Sequence, residues 1–381
     1  MSAILGSPTT INQILQRLGP LVTSTHGLLA NASATGTGIT IHSVNSPDFA
    51  GPGQVGFVTQ PKYLEKALAS TASVLCFPEK SKNVVVARIE SGGTPRAYFF
   101  SKEPELAMRE TIQSFFQTTP YINQDFETPV HPTAVIHPEA QLGRGVRIGP
   151  FAVISKHVVI GDEAVVGAHT VIESRSKIGA RTVLHPFVYI GPSCDVGADC
   201  EINPHTVIGK EGFGYAHDTK NNHYRIPHTG RVIIGDRVHL GSSVTVDRGT
   251  FADTRIEAGA ILDNRIQISH NAVIGENAII TAGFVIAGSS KVGRNFLTGG
   301  NTAVTGHIEL CDNVQLAALS VVRKNITKPG AYGGNPLMPM RDYMRFLAAQ
   351  MKLPLLVKKF KGDLGDDAAD ESDATSNEPT S

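Results

Sequence analysis

Four residues in the second half of the chain have types and spacings that could do chemistry together: Asn264, His270, Gly288 and His307. An imidazole exchanges a proton near neutrality because its unperturbed pKa is about 6.5. A glycine amide offers a hydrogen-bond donor that no side chain shields, which suits an oxygen that becomes negative during a reaction. Asn264 precedes His270 by six residues, while Gly288 and His307 follow it by 18 and 37. In an ordinary chain such separations mean nothing. They acquire meaning from a six-residue period.

That period runs through most of the chain. From Ile136 through Leu142, Ile148, Ile154 and onward to Ile208, every sixth residue is aliphatic. A second run from Ile256 to Val322 keeps the step, with Thr298 its one polar occupant. Four positions after each aliphatic stands a small or medium residue, such as Ala152, Ala164, Thr170, Cys194, Cys200 or Ala272, so two side chains in six can face inward. A glycine often follows the aliphatic, as in Ile148-Gly149 and Ile160-Gly161, and is expected to supply the φ of a sharp corner. Short strands joined by such corners make a triangular prism with 18 residues per coil and coils about 4.8 Å apart. On that prism Asn264 and His270 fall either side of a corner, Gly288 stacks on His270 one coil away, and His307 shares the face about 10 Å along the stack. A groove between neighbouring prisms would enclose them, which predicts an oligomer.

The repeat fails in two places, and function concentrates where a regular rule breaks. An insertion, residues 211–231, leaves the prism as a loop. Val246-Asp247-Arg248-Gly249 then precedes a shift of phase before Ile256. Beyond it Asp263 and Ser269 take positions that glycine holds earlier, and the outward positions include Asn264 and His270.

Four units follow. Residues 1–126 form a small α/β domain, with strands at Val84 to Ala87 and Ala97 to Phe100 and helices at Lys62 to Leu68 and Glu105 to Phe116. Residues 127–335 form the prism. Residues 336–362 are helical and bent or interrupted near Pro354. Residues 363–381 carry seven acids and no base, the composition of a disordered tail.

Bulk properties set limits. With 34 basic and 34 acidic residues there is no global field to favour nucleic acid. No apolar run reaches the roughly 18 residues of a membrane span, so bilayer contact is at most peripheral. Cys76, Cys194, Cys200 and Cys311 form no CxxC pair, which fits reduced thiols in a cytoplasm, and Cys194 and Cys200 are core-packing positions. His270 and His307 lie too far apart for one metal ion, so no metal is expected.

Several motifs occur in order: Phe213-Gly214-Tyr215-Ala216, Gly230-Arg231-Val232-Ile233-Ile234-Gly235-Asp236, Asp247-Arg248-Gly249, Asp263-Asn264 and Ile268-Ser269-His270-Asn271. Together they resemble the UDP-3-O-(3-hydroxyacyl)glucosamine N-acyltransferases of lipid A synthesis, over roughly residues 10 to 350. The resemblance implies a left-handed parallel β-helix and transfer of a 3-hydroxyacyl chain from the phosphopantetheine arm of acyl carrier protein to the sugar's 2-amino group, with no other cofactor. It implies His270 as general base, Gly288 N–H as oxyanion donor, Asn264 orienting substrate, and His307 at the substrate's phosphate or acyl hydroxyl. Asp247 or Asp263 would orient a histidine. Gly56-Phe57-Val58-Thr59-Gln60-Pro61-Lys62-Tyr63 is similar to the family's uridine site, with Phe57 and Tyr63 sandwiching the base and Gln60 standing where Asn is usual. From Val321 to Lys361 the bases, among them Arg323, Lys324, Arg341 and Arg345, face one acid, Asp342, a docking surface for an acidic carrier protein. The alternatives are the UDP-N-acetylglucosamine O-acyltransferases, which usually lack the Phe57-to-Tyr63 type of domain, and a non-catalytic β-helix scaffold, which has no use for the loop and the polar break.

Overall fold

A computed structural model describes residues 3–27, 38–90, 97–115, 128–333 and 340–363, and the acidic tail expected over 363–381 falls almost wholly outside them. The chain divides into two compact units, Met1–Tyr121 and Ile122–Ser381.

The first unit is built on six strands: β1 (Ala3–Thr10), β2 (Val22–Gly27), β3 (Thr40–Asn45), β4 (Gln54–Phe57), β5 (Val74–Pro78) and β6 (Ala97–Ser101). Their order is β1-β3-β4-β5-β6-β2, with β3 to β6 parallel and both edges antiparallel. Helices α1 (Ile11–Leu18), α2 (Leu64–Ala69), α3 (Lys82–Glu90) and α4 (Pro104–Phe115) connect them. Thr10 and Gln13 close a capping box that starts α1. Because strand side chains alternate, the sheet feeds two cores. One holds Val55, Phe57, Cys76 and Phe99 with α1 and α4; the other holds Val58, Leu75, Phe77 and Phe100 with α2 and α3. Val84 to Ala87, read as a strand, lies inside α3. Its β-branched run favours a strand locally, but Val85, Val86 and Ile89 recur at helical spacing and pack on the Phe77 core, while Val84 is 60% exposed. Tertiary burial overrides the weaker local preference.

The second unit is the left-handed parallel β-helix. Its two-residue strands stack into three sheets of ten, nine and ten strands, the faces of the prism. Val153 and Ile154 pair with Val171 and Ile172, one 18-residue coil on. The period-six aliphatics from Ile148 onward are buried, and so are the small residues four positions later: Ala152, Ala164, Thr170 and Ala272 are all 0% exposed. Each fully buried aliphatic contributes about 1.5–3 kcal/mol. Thr298 keeps its inward place because its hydroxyl donates to Gly299 O at 2.9 Å. Cys194 and Cys200 pack in this core, where burial pushes both thiols up.

The corner glycines have a different cause from the one expected. Left-handed φ falls two residues beyond most of them, on Phe151, His157, Glu163, His169 and their successors, while Gly161 and Gly167 are not left-handed at all; Gly209, where the insertion begins, does have the expected positive φ, of 84°. What Gly161 provides is clearance: a Cβ there would stand 2.6 Å from Ala180 N in the next coil.

The register records both breaks. Ile208 pairs with Val246, and Val246 with Ile268, so the turns of chain holding the insertion and the break each exceed 18 residues. Helix α5 (Met340–Asp363) continues through Pro354, so of the two alternatives, bent or interrupted, the chain is not interrupted there.

Candidate active site

The insertion begins as an extension of the strand Val207–Glu211, forms an antiparallel hairpin of Tyr215–His217 with His223–Arg225, and rejoins the prism at Val232–Ile234. Asp218 organises the hairpin turn, accepting from the backbone of Lys220 and Asn222 and from the Asn222 amide and Tyr224 hydroxyl. These bonds hold its carboxyl at about 2, well below the usual range, with the Asn222 side chain the largest cause. An ion pair between Arg225 and Glu211 ties the returning strand to the outgoing one.

The far end of the insertion is laced to the second break. Thr229 N and Gly230 N donate to Thr250 O and Gly249 O, at 2.8 and 2.9 Å. The break is in turn organised by Asn271, whose Oδ1 accepts from Thr250 N at 3.0 Å and whose Nδ2 donates to Ala252 O at 2.9 Å. The two irregularities, separate in sequence, therefore form one structure beside His270.

That arrangement determines the histidine's tautomer. Since Asn271 Oδ1 is an acceptor, His270 Nδ1, 3.2 Å away, must donate to it, which leaves the Nε2 lone pair free. The half-buried ring lies against Gly288, where a Cβ would stand 2.5 Å from its Cε1 and 2.6 Å from its Nε2. Coil arithmetic thus placed this pair correctly, and Gly288 N–H has no acceptor among the described residues. The hairpin closes over the ring to make a cavity of about 660 Å³, lined by Phe213, Tyr215, Ile226, His228, Thr250 and His270 among others. Its walls are mostly apolar, and His217, His223, His228 and His270 contribute imidazoles to the lining.

Other expected residues sit differently. Asn264 and His270 occupy successive corners, at the two ends of one prism face, because the strand Gln267–Ile268 runs between them. Asn264 spends its side chain on the corner itself, Oδ1 accepting from Ser242 N at 2.8 Å and Nδ2 donating to Asp263 at 2.7 Å. His307 stands at a left-handed corner, exposed, with its N–H on Gly288 O at 3.1 Å. Neither aspartate reaches a histidine: buried Asp247 binds Lys210 at 2.5 Å and Gln267 at 3.0 Å, and Asp263 binds Asn264 and Ala282 N. Asn271 does that orienting work. Phe57 is 3% exposed with its edge on Phe99, whereas half-buried Tyr63 packs on the other core, so the two rings do not form a sandwich here. Gln60 is exposed beside Tyr63 in sequence and makes no side-chain cap. Arg323, Lys324, Arg341 and Arg345 are exposed, and Arg345 lies 3.5 Å from Asp342. Arg323 and Lys324 line a cavity of about 550 Å³ with Leu319, Val321 and Tyr332. Among the described residues no three potential ligands cluster for a metal, and no helix is long and apolar enough to cross a membrane.

His228 escaped sequence reading, since nothing in its spacing links it to His270. It is 4% exposed, and its ring meets that of His270 edge to face, with centroids 5.4 Å apart.

The prism, with a tautomer-fixed histidine beneath an inserted hairpin, places the chain among the hexapeptide-repeat β-helix proteins. Comparison with known proteins narrows this. Residues 130–212 match the family model described as GMPPB C-terminal domain. UDP-3-O-acylglucosamine N-acyltransferase from Methylococcus capsulatus is 36% identical over 92% of this chain and 96% of its own length, and that from Bordetella pertussis is 37% identical over 84% and 88%. Among solved structures, an Arabidopsis UDP-N-acetylglucosamine acyltransferase is 22% identical over 54% of this chain and 71% of that one, with a TM-score of 0.47. The chain belongs to the UDP-3-O-acylglucosamine N-acyltransferase family, and it is an acyltransferase enzyme.

Proposed function

We propose that the chain transfers a 3-hydroxyacyl group from acyl carrier protein to the 2-amino group of UDP-3-O-(3-hydroxyacyl)glucosamine, as a cytoplasmic homotrimer. The observation that carries this reading is the open Nε2 of His270, held in one tautomer by Asn271 and facing a cavity with apolar walls. The amine attacks the thioester carbonyl, a C–N bond forms, and His270 Nε2 takes the amine proton. Gly288 N–H stabilises the oxyanion. Collapse breaks the C–S bond, and the leaving thiolate recovers the proton from His270. His307, exposed one coil above Gly288, is available to a phosphate or an acyl hydroxyl. Gln60 and Tyr63 remain accessible to the uridine. Phe213, 84% exposed although it lines the cavity, is the wall a neighbouring prism would cover. The exposed Arg323, Lys324, Arg341 and Arg345 suit an acidic carrier protein.

The test is incubation with UDP-3-O-(3-hydroxyacyl)glucosamine and 3-hydroxyacyl carrier protein, with products weighed by mass spectrometry. Product should carry a second acyl chain on nitrogen, and His270→Ala should lower turnover by about 10² to 10⁴-fold. No product from the wild type, or near-normal kcat/KM in the variant, refutes the reading.

A further inference from the structure

Inside the cavity His228 holds an acceptor that has no donor. Its Nδ1 lies 2.9 Å from Ile226 O, an acceptor only, so Nδ1 carries the proton and Nε2 a lone pair. That Nε2 is buried and has no partner. An unmet buried acceptor is destabilising, which makes it rare in a folded chain without a purpose. Two glycines make room for the ring: a Cβ on Gly214 would lie 2.8 Å from its Cε1, and one on Gly212 3.0 Å from its Nε2. The same point beside Gly212 is 3.2 Å from His270 Cδ2, the atom bonded to the catalytic Nε2. The unpaired acceptor and the base therefore pack against the same glycine, beside one another.

We propose that His228 Nε2 accepts a hydrogen bond from the attacking amine, as a substrate-orienting residue for the transfer. An amine has two N–H bonds. One proton leaves to His270 Nε2 as the C–N bond forms, and the other stays on nitrogen and becomes the amide N–H of the product. His228 holds the second, so the nitrogen lone pair is turned toward the thioester carbon while the first faces the base. Gly212 and Gly214 leave the ring room to sit beside His270, and the Ile226 carbonyl fixes the imidazole in the tautomer that accepts. This assignment rests on the N-acyl transfer reading above.

The experiment compares wild type, His228→Leu and His228→Gln with UDP-3-O-(3-hydroxyacyl)glucosamine and 3-hydroxyacyl carrier protein. Leu fills the space without an acceptor, and Gln returns an acceptor near the Nε2 position. His228→Leu should lose about 10- to 100-fold in kcat/KM, mostly in kcat, as expected for one hydrogen bond to a group that becomes charged. The carrier-protein KM should not move, and Tm should stay level or rise, because an unmet acceptor has been removed. His228→Gln should recover to within about threefold of wild type. A His228→Leu variant with normal kcat/KM, or one that melts lower or fails to fold, overturns the proposal, since the latter results mark a packing role. If its defect disappears with a donor lacking the 3-hydroxyl, the acceptor serves the acyl chain and the amine assignment falls. A wild type inactive on this substrate pair sinks the parent reading together with this one, whereas an active wild type with an unimpaired His228→Leu variant sinks this one alone.

Discussion

Gly288→Ala should disable the enzyme while leaving it folded. The new Cβ would stand 2.5 Å from His270 Cε1, 2.6 Å from Nε2 and 3.1 Å from Nδ1, whereas ordinary contact begins near 3.4 Å. Something must retreat by about 1 Å, and the backbone is the stiffer party. Gly288 O accepts from His307 N at 3.1 Å, and its neighbours Ala287 N and Ser289 N donate to Val304 O and His270 O at 2.9 and 3.0 Å. The ring is half-buried and held by one bond of 3.2 Å to Asn271, so the ring moves. A displacement of about 1 Å in a reacting group costs about 10²-fold in rate, or about 2.7 kcal/mol in the barrier. Residue 288 is not in the left-handed region, so alanine brings no backbone strain. Steady-state kinetics should therefore show kcat/KM reduced about 10²-fold, with Tm within about 2 °C of wild type by calorimetry. Gly306→Ala, whose nearest neighbour would be Gly288 O at 3.3 Å, is the control and should stay within about threefold. Wild-type kinetics in Gly288→Ala would refute the claim that this glycine exists to seat the imidazole.

Clearance between coils makes Gly161→Ala costly, by about 2 kcal/mol or more in unfolding free energy, because Ala180 N blocks the Cβ. Gly300→Ala, with nothing nearer than 3.4 Å, should be near neutral in the same denaturant titration. The Asp218 carboxyl is depressed in the folded chain, so its contribution to the hairpin is complete above its ordinary value and is lost as pH falls through about 2. Amide exchange at Tyr215 to Arg225 should accelerate over that acid window, and Asp218→Asn should abolish the dependence. Charge reversal at Arg341 and Arg345 should raise the KM for acyl carrier protein and flatten its dependence on salt; an unchanged KM would remove these residues from the docking surface.

Much of this protein was settled by sequence alone, because a six-residue period admits few solutions. Each aliphatic at that step must face the prism axis, so Ile148, Ile160 and Leu262 identify the core, and the offset of 18 brings Gly288 to His270 before any coordinates exist. The same reasoning fails where a side chain's direction depends on neighbours from elsewhere in the chain. Phe57 sits in a readable motif, yet strand alternation turns it into the core away from Tyr63. Val84 to Ala87 has strand composition and becomes helix because Val85, Val86 and Ile89 gain burial that way. Asp247 looked like a histidine's partner until Lys210 and Gln267 claimed it. The pairing of His228 with His270 is the clearest case. It depends on a hairpin that leaves the repeat, turns on Asp218 and returns to the carbonyls of Gly249 and Thr250, and no period relates residues inside an insertion to the coil beneath it. Periodicity determined the scaffold because every coil repeats the same local burial; the second imidazole of the site was decided only by the long-range hydrogen bonds that close the loop.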